Sequence, residues 1–117
     1  MDTPVITSNC SGSSALAVRD ALDVLNGKWK LQILMAVSSG AVRFRKIATE
    51  VSGITDRMLS KELKELEMNH LIERAVLPSF PPTVEYSLTK HGRTLDKVIA
   101  ELSAWGTIHR KEIVGRK

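Results

Sequence analysis

Four polar side chains, Arg57, Ser60, Lys61 and Lys64, recur at three- and four-residue spacing within one charged stretch. On a helix turning about 100° per residue, with Arg57 at about 0°, Ser60 falls near 300°, Lys61 near 40° and Lys64 near 340°. They share one ridge. Leu59, Leu63 and Leu66 lie within about 60° of one another on the opposite side, which suits burial. Glu62, Glu65 and Glu67 flank the ridge or lie beyond it. Three cations and a hydroxyl on one face, backed by hydrocarbon, suit a polyanion. An α-helix fits the major groove of B-DNA, where an arginine fork matches guanine O6 and N7 and lysines neutralise phosphates. Arg57, near the start of the segment, is the expected base reader; Lys61 and Lys64 are the expected phosphate contacts. The competing reading is an ordinary solvated face, with Arg57 paired to Glu50 or Asp56 and the lysines to glutamates.

Other chemistries lack their residues. His70, His91 and His109 stand in separate segments, without a cysteine or acid at ligand spacing, so no metal site is expected. Gly27-Lys28-Trp29 lacks the spacing and the Ser or Thr of a phosphate-binding loop, and no Gly-x-Ser-x-Gly occurs. Asp20 and Asp23 read as solvating a helix or pairing with Lys28, and Trp29 and Trp105 as core or dimer contacts. No enzyme and no cofactor are expected. With one cysteine, Cys10, an internal disulfide is impossible and a reducing compartment is expected.

The chain has 117 residues, is 43% hydrophobic and 26% charged, and carries a net charge of +4. That is enough for one folded domain with its own core. Charge placement is more informative than the total. Residues 43–64 hold six basic and three acidic groups and residues 78–117 hold seven and four, whereas residues 1–40 balance three against three. No apolar run approaches the roughly 20 residues of a membrane helix and no signal peptide opens the chain. A cytoplasmic protein without a membrane partner is expected.

The elements that must position the ridge are mostly helical. Residues 1–13 read as a flexible arm, residues 14–109 as the folded domain and residues 110–117 as a basic tail. A first helix, capped by Ser13 or Ser14, carries Leu16, Val18, Ala21, Leu22 and Leu25 and ends at Asn26-Gly27. A second, over about 28–39, is apolar on more than one side and so reads as buried. A third spans about 44–51, with Phe44, Ile47, Ala48 and Val51 on one face. The turn Ser52-Gly53-Ile54 then leads to Thr55, a good N-cap, and Asp56, which suits the positive end of the ridge helix at 55–69. Two helices joined by a short glycine-containing turn form a helix-turn-helix pattern.

Two β-prone runs, 71–77 and 84–88, flank a loop holding Pro78, Pro81 and Pro82, which reads as a hairpin with a stiff tip. One continuous helix from Thr89 onwards completes a mainly α winged helix-turn-helix with added terminal helices. Ser79 and Thr83 at the wing tip are candidate DNA contacts, as are Thr55 and Asp56 at the helix start. Arg43, Arg45 and Lys46 precede or open the third helix, whose end can approach the DNA backbone, so at least one of them is an expected phosphate contact.

The stripe Leu95, Val98, Ile99, Leu102 and Trp105 is longer than a small core needs from a terminal helix, and Leu16, Leu22 and Leu25 offer another. Joined across a two-fold axis, these stripes make a homodimer that sets two recognition helices about 34 Å apart on an inverted-repeat operator. A gap between dimer helices and motif could house a small inducer, which no residue identifies.

Val18-Arg19-Asp20-Ala21-Leu22-Asp23-Val24-Leu25-Asn26-Gly27-Lys28-Trp29, Arg43-Phe44 and Gly53-Ile54-Thr55-Asp56-Arg57-Met58-Leu59 carry a family resemblance. Leu63-Lys64-Glu65-Leu66-Glu67, the wing Pro81-Pro82-Thr83-Val84-Glu85-Tyr86-Ser87-Leu88-Thr89 and Gly92 extend it. Over about residues 16–106 the chain resembles the HxlR-type winged helix-turn-helix regulators, relatives of MarR-like proteins. The resemblance implies a homodimeric transcription regulator of double-stranded DNA, dimerised through its first and last helices, and it favours Arg43, which stands in a matched segment, as the phosphate contact beside the third helix. Some such proteins sense oxidants or electrophiles through a cysteine just before the first helix; here Leu16 holds that position. Cys10 lies six residues earlier in a Ser/Gly stretch, with no basic neighbour to activate it, which argues against a tuned sensor. The alternatives are a winged helix serving protein–protein contact, or a regulator switched through Cys10.

Overall fold

In the computed structural model, which describes residues 12–115, four helices precede the hairpin: α1 (Gly12–Val24), α2 (Lys30–Ser38), α3 (Phe44–Glu50) and α4 (Asp56–Met68). Strands β1 (Ile72–Leu77) and β2 (Thr83–Leu88) follow, then the short α5 (Lys90–Arg93) and the long α6 (Asp96–Gly115). The result is the expected mainly helical fold with one β-hairpin wing. Cys10, Arg116 and Lys117 lie outside the described residues.

The core is built where three apolar faces meet. Ile33, Leu34 and Val37 of α2 are buried against Ile47 of α3 and the stripe Leu59, Leu63 and Leu66 of α4. Leu71, Ile72 and Leu88 close it from the hairpin side. α2 touches α3, α4 and β2, which accounts for the breadth of its apolar pattern. Between α3 and α4, Gly53 takes a φ of +91° that other residues resist, and Trp29 packs close by. The hairpin is antiparallel, with Ile72 opposite Leu88 and Arg74 opposite Tyr86.

Three boundaries depart from expectation. α1 begins at Gly12, so Ser13 and Ser14 lie inside its first turn instead of capping it. The terminal helix is not continuous from Thr89. Gly92 packs so closely on Leu71 that a Cβ there would stand 2.1 Å from the Leu71 carbonyl oxygen. The chain tightens after it, with Thr94 N–H and Leu95 N–H donating to the carbonyls three residues back, of His91 and Gly92. α6 then restarts at Asp96 and stays helical to Gly115, well into the stretch read as a basic tail.

Candidate nucleic-acid interface

The second helix of the motif begins at a satisfied cap. Thr55 has an extended backbone, and its hydroxyl accepts the Met58 N–H at 3.1 Å. Beside it the Arg45 guanidinium grips Asp56 with two hydrogen bonds, Nη1 to Oδ1 at 3.1 Å and Nη2 to Oδ2 at 2.7 Å. This fork ties α3 to the first turn of α4. The hydrogen bonds from Arg45 hold the Asp56 carboxyl below its ordinary pKa, and those same bonds raise Arg45. Both Asp56 oxygens are thereby occupied.

The ridge faces solvent. Arg57, Ser60, Lys61 and Lys64 are exposed, while Leu59, Leu63 and Leu66 on the opposite face are at most 2% exposed. With Glu65 and Met68, the four ridge residues line a shallow cleft of about 550 Å³. Both carboxylates expected to compete for Arg57 are taken: Lys46 reaches Glu50 at 3.5 Å and Arg45 holds Asp56. Arg57 and Lys64 make no ion pair among the described residues. Lys61 does, reaching Glu65 Oε2 at 3.2 Å.

The wing extends this surface. Ser60, Lys64 and Glu67 of α4 line a second cleft, of about 430 Å³, with Arg74 and Tyr86 of the hairpin. Arg74 thus adds a cation beside the ridge that sequence reasoning does not select. Its position facing Tyr86 depends on strand register, which alternation in 71–77 does not fix. The Tyr86 N–H donates to the Val42 carbonyl at 2.8 Å, and Arg43 Nε lies 3.6 Å from Glu85 Oε2. The wing is therefore anchored to the residues that open α3. At its tip the Ser79 hydroxyl donates to the Pro81 carbonyl, so the 2.7 Å contact with Thr83 is donated by Thr83. These two candidates close the loop on itself, leaving Phe80 fully exposed.

Sequence reasoning missed Lys30. It is 3% exposed, and its ammonium meets Glu62 Oε1 at 2.5 Å, Glu65 Oε1 at 2.6 Å and Asn26 Oδ1 at 3.3 Å. Burial pulls its pKa down, but the hydrogen bonds and charges of Glu62 and Glu65 outweigh that and leave it raised. A signal existed: a lysine at the start of an otherwise buried helix, with Glu62 and Glu65 one turn apart beside the leucine stripe.

The candidate dimer residues fall into two groups. Leu16, Leu22, Val98, Leu102 and Trp105 are exposed, Trp105 by 61% and stacked on His109 at 4.9 Å. Leu25, Leu95 and Ile99 are half-buried and pack against the core, joining the terminal helices to the motif.

A family model for the HxlR-like helix-turn-helix matches residues 24–113. The chain belongs to the HxlR-like helix-turn-helix family. It is 42% identical over 96 residues to the HTH-type transcriptional regulator YdeP of Bacillus subtilis, covering 82% of this chain and 75% of that one. Among solved structures it resembles the redox regulator HypR in its reduced form, with a TM-score of 0.78 and 37% identity. That likeness covers 85% of this chain and 98% of the other. It also resembles the reduced form of the transcriptional regulator YodB from B. subtilis, with a TM-score of 0.69 and 37% identity, over 76% and 87% of the two chains. With the ridge geometry, membership in this family makes the protein a DNA-binding transcriptional regulator and displaces the reading as a protein-contact module. No helix among the described residues is long and apolar enough to cross a membrane.

Proposed function

We propose that this regulator is a cytoplasmic homodimer, without enzymatic activity of its own, that binds an inverted-repeat operator on double-stranded DNA. α4 enters the major groove with the wing beside it. The observation that carries this reading is the exposed ridge of Arg57, Ser60, Lys61 and Lys64 opposite the buried leucines. Arg57 reads a base edge, because its fork is unclaimed and it stands in the first turn of α4. Lys64 and Lys61 neutralise phosphates, and Arg43 and Thr55 contact the backbone beside them. Asp56 acts through Arg45, and Ser79 and Thr83 shape the wing tip. The exposed residues Leu16, Leu22, Val98, Leu102 and Trp105 form the dimer contact, with Leu25, Leu95 and Ile99 as its base.

A mobility-shift titration against the promoter region beside the protein's own gene tests this reading. With about four phosphate contacts per subunit, log K should fall against log[salt] with a slope near −7. A salt-independent association, or an Arg57→Ala protein that folds and binds unchanged, removes it.

Likeness to the redox regulator HypR favours a second reading, in which a thiol governs DNA release. Here that thiol is Cys10, and Cys10→Ser should abolish any response to diamide. A full response without it excludes this reading.

A further inference from the structure

One carboxylate in the candidate interface is shared between two ammonium groups. Glu65 lines the ridge cleft; its Oε1 lies 2.6 Å from Lys30 on the buried side and its Oε2 lies 3.2 Å from Lys61 on the exposed side. A bare carboxylate there would repel a phosphate and hold Lys61 back from it. Lys30 is built to stay where it is. It is buried, its three N–H groups have three acceptors in Glu62, Glu65 and Asn26, and its stem leaves α2 toward α4. Lys61, by contrast, is 62% exposed and has no other carboxylate contact among the described residues.

We propose that Lys30 is a positioning residue for DNA binding: by holding Glu65 from the buried side, it lets Lys61 exchange that carboxylate for a DNA phosphate. When Lys61 swings out, Glu65 keeps its 2.6 Å contact with Lys30, an ammonium it shares with Glu62, so the carboxylate is never left without a cation beside it. Without Lys30, each Lys61–phosphate contact would be made at the expense of the sole Lys61–Glu65 pair. This inference rests on the reading of the ridge as the DNA-binding face.

The experiment measures log K against log[salt] for operator binding by the full chain and four variants. Removing Lys30 alone leaves Glu62 buried and uncompensated, so the working variant is Lys30→Met with Glu62→Gln. Its slope should move from near −7 to about −5, because each subunit of the dimer then neutralises one phosphate fewer. Adding Glu65→Gln to that variant should return the slope to near −7, since Lys61 then has no carboxylate to leave. In the otherwise native chain Glu65→Gln, which keeps a side-chain oxygen to accept from Lys30, should alter affinity by less than about threefold, because Lys30 already holds that oxygen from the buried side. An unchanged slope in the double variant, or a tenfold gain from Glu65→Gln alone, overturns the proposal. Lys61→Ala separates the two readings. If it lowers the slope while the double variant does not, only the role of Lys30 fails; if it leaves the slope unchanged, the assignment of Lys61 as a phosphate contact fails with it.

Discussion

The motif and the terminal helices solve the burial problem in opposite ways. α2, α3 and α4 bury Ile33, Leu34, Ile47, Leu59, Leu63 and Leu66 within one subunit. α1 and α6, 13 and 20 residues long, contain no buried residue at all, although both carry large apolar side chains. The first region has a complete core; the second presents hydrocarbon that the other described residues do not cover. A helix with a long apolar stripe and nothing to bury it against gains its stability from another surface. In the proposed dimer, folding and assembly fall to different stretches of one short chain, and variants in the two should fail differently.

The largest effect is expected in the motif. Leu63→Ala empties a fully packed site between α4 and its neighbours and should cost about 2–5 kcal/mol of unfolding free energy, read by urea denaturation. Trp105→Ala should leave the folded subunit intact but weaken self-association by about 2 kcal/mol or more, read by sedimentation equilibrium. If Trp105→Ala unfolds the chain as Leu63→Ala does, the division fails; if the unaltered protein sediments as a monomer at micromolar concentration, so does the dimer. Arg57→Ala should leave both folding and assembly alone while costing about 1–3 kcal/mol of operator affinity and relaxing the preference at one base position. The smallest effect belongs to Asp56. Its folded-state pKa is depressed by Arg45, so its contribution is present above the unfolded pKa and disappears as pH falls through the carboxylate range. Asp56→Asn should therefore flatten the decline in melting temperature below about pH 4, and leave the melting temperature near neutrality only slightly reduced.

The parts legible in the sequence are those governed by local periodicity. The leucine stripe and cationic ridge of α4 follow from angles along one helix, and Thr55 and Gly53 announce the cap and turn through their own backbone preferences. Residues paired across long stretches of chain are not legible in this way. Lys30 meets Glu62 across 32 positions, and only the packing of α2 on α4 brings them together. Arg74 joins the interface through a strand register that neither run of β-prone residues specifies alone. The break between α5 and α6 is hidden for a related reason. The apolar spacing continues across it, while its cause, the approach of Gly92 to Leu71, is a contact between segments distant in sequence.

That contact turns a glycine into a fitted joint. Thr89 reaches back across it, its N–H donating to the Leu71 carbonyl and its hydroxyl to the His70 carbonyl, and Gly92 N–H closes the turn onto Thr89. A single added carbon would act as a shim, displacing the base of α6 from the motif without altering one atom of the cationic ridge or of the exposed apolar stripe. In a dimer, the displacement would appear twice, once in each half, and a shift of that kind is amplified along a lever of about five helical turns. In the proposed dimer, the spacing of the two reading heads would thus be set at a seam apart from both the cationic ridge and the exposed apolar stripe.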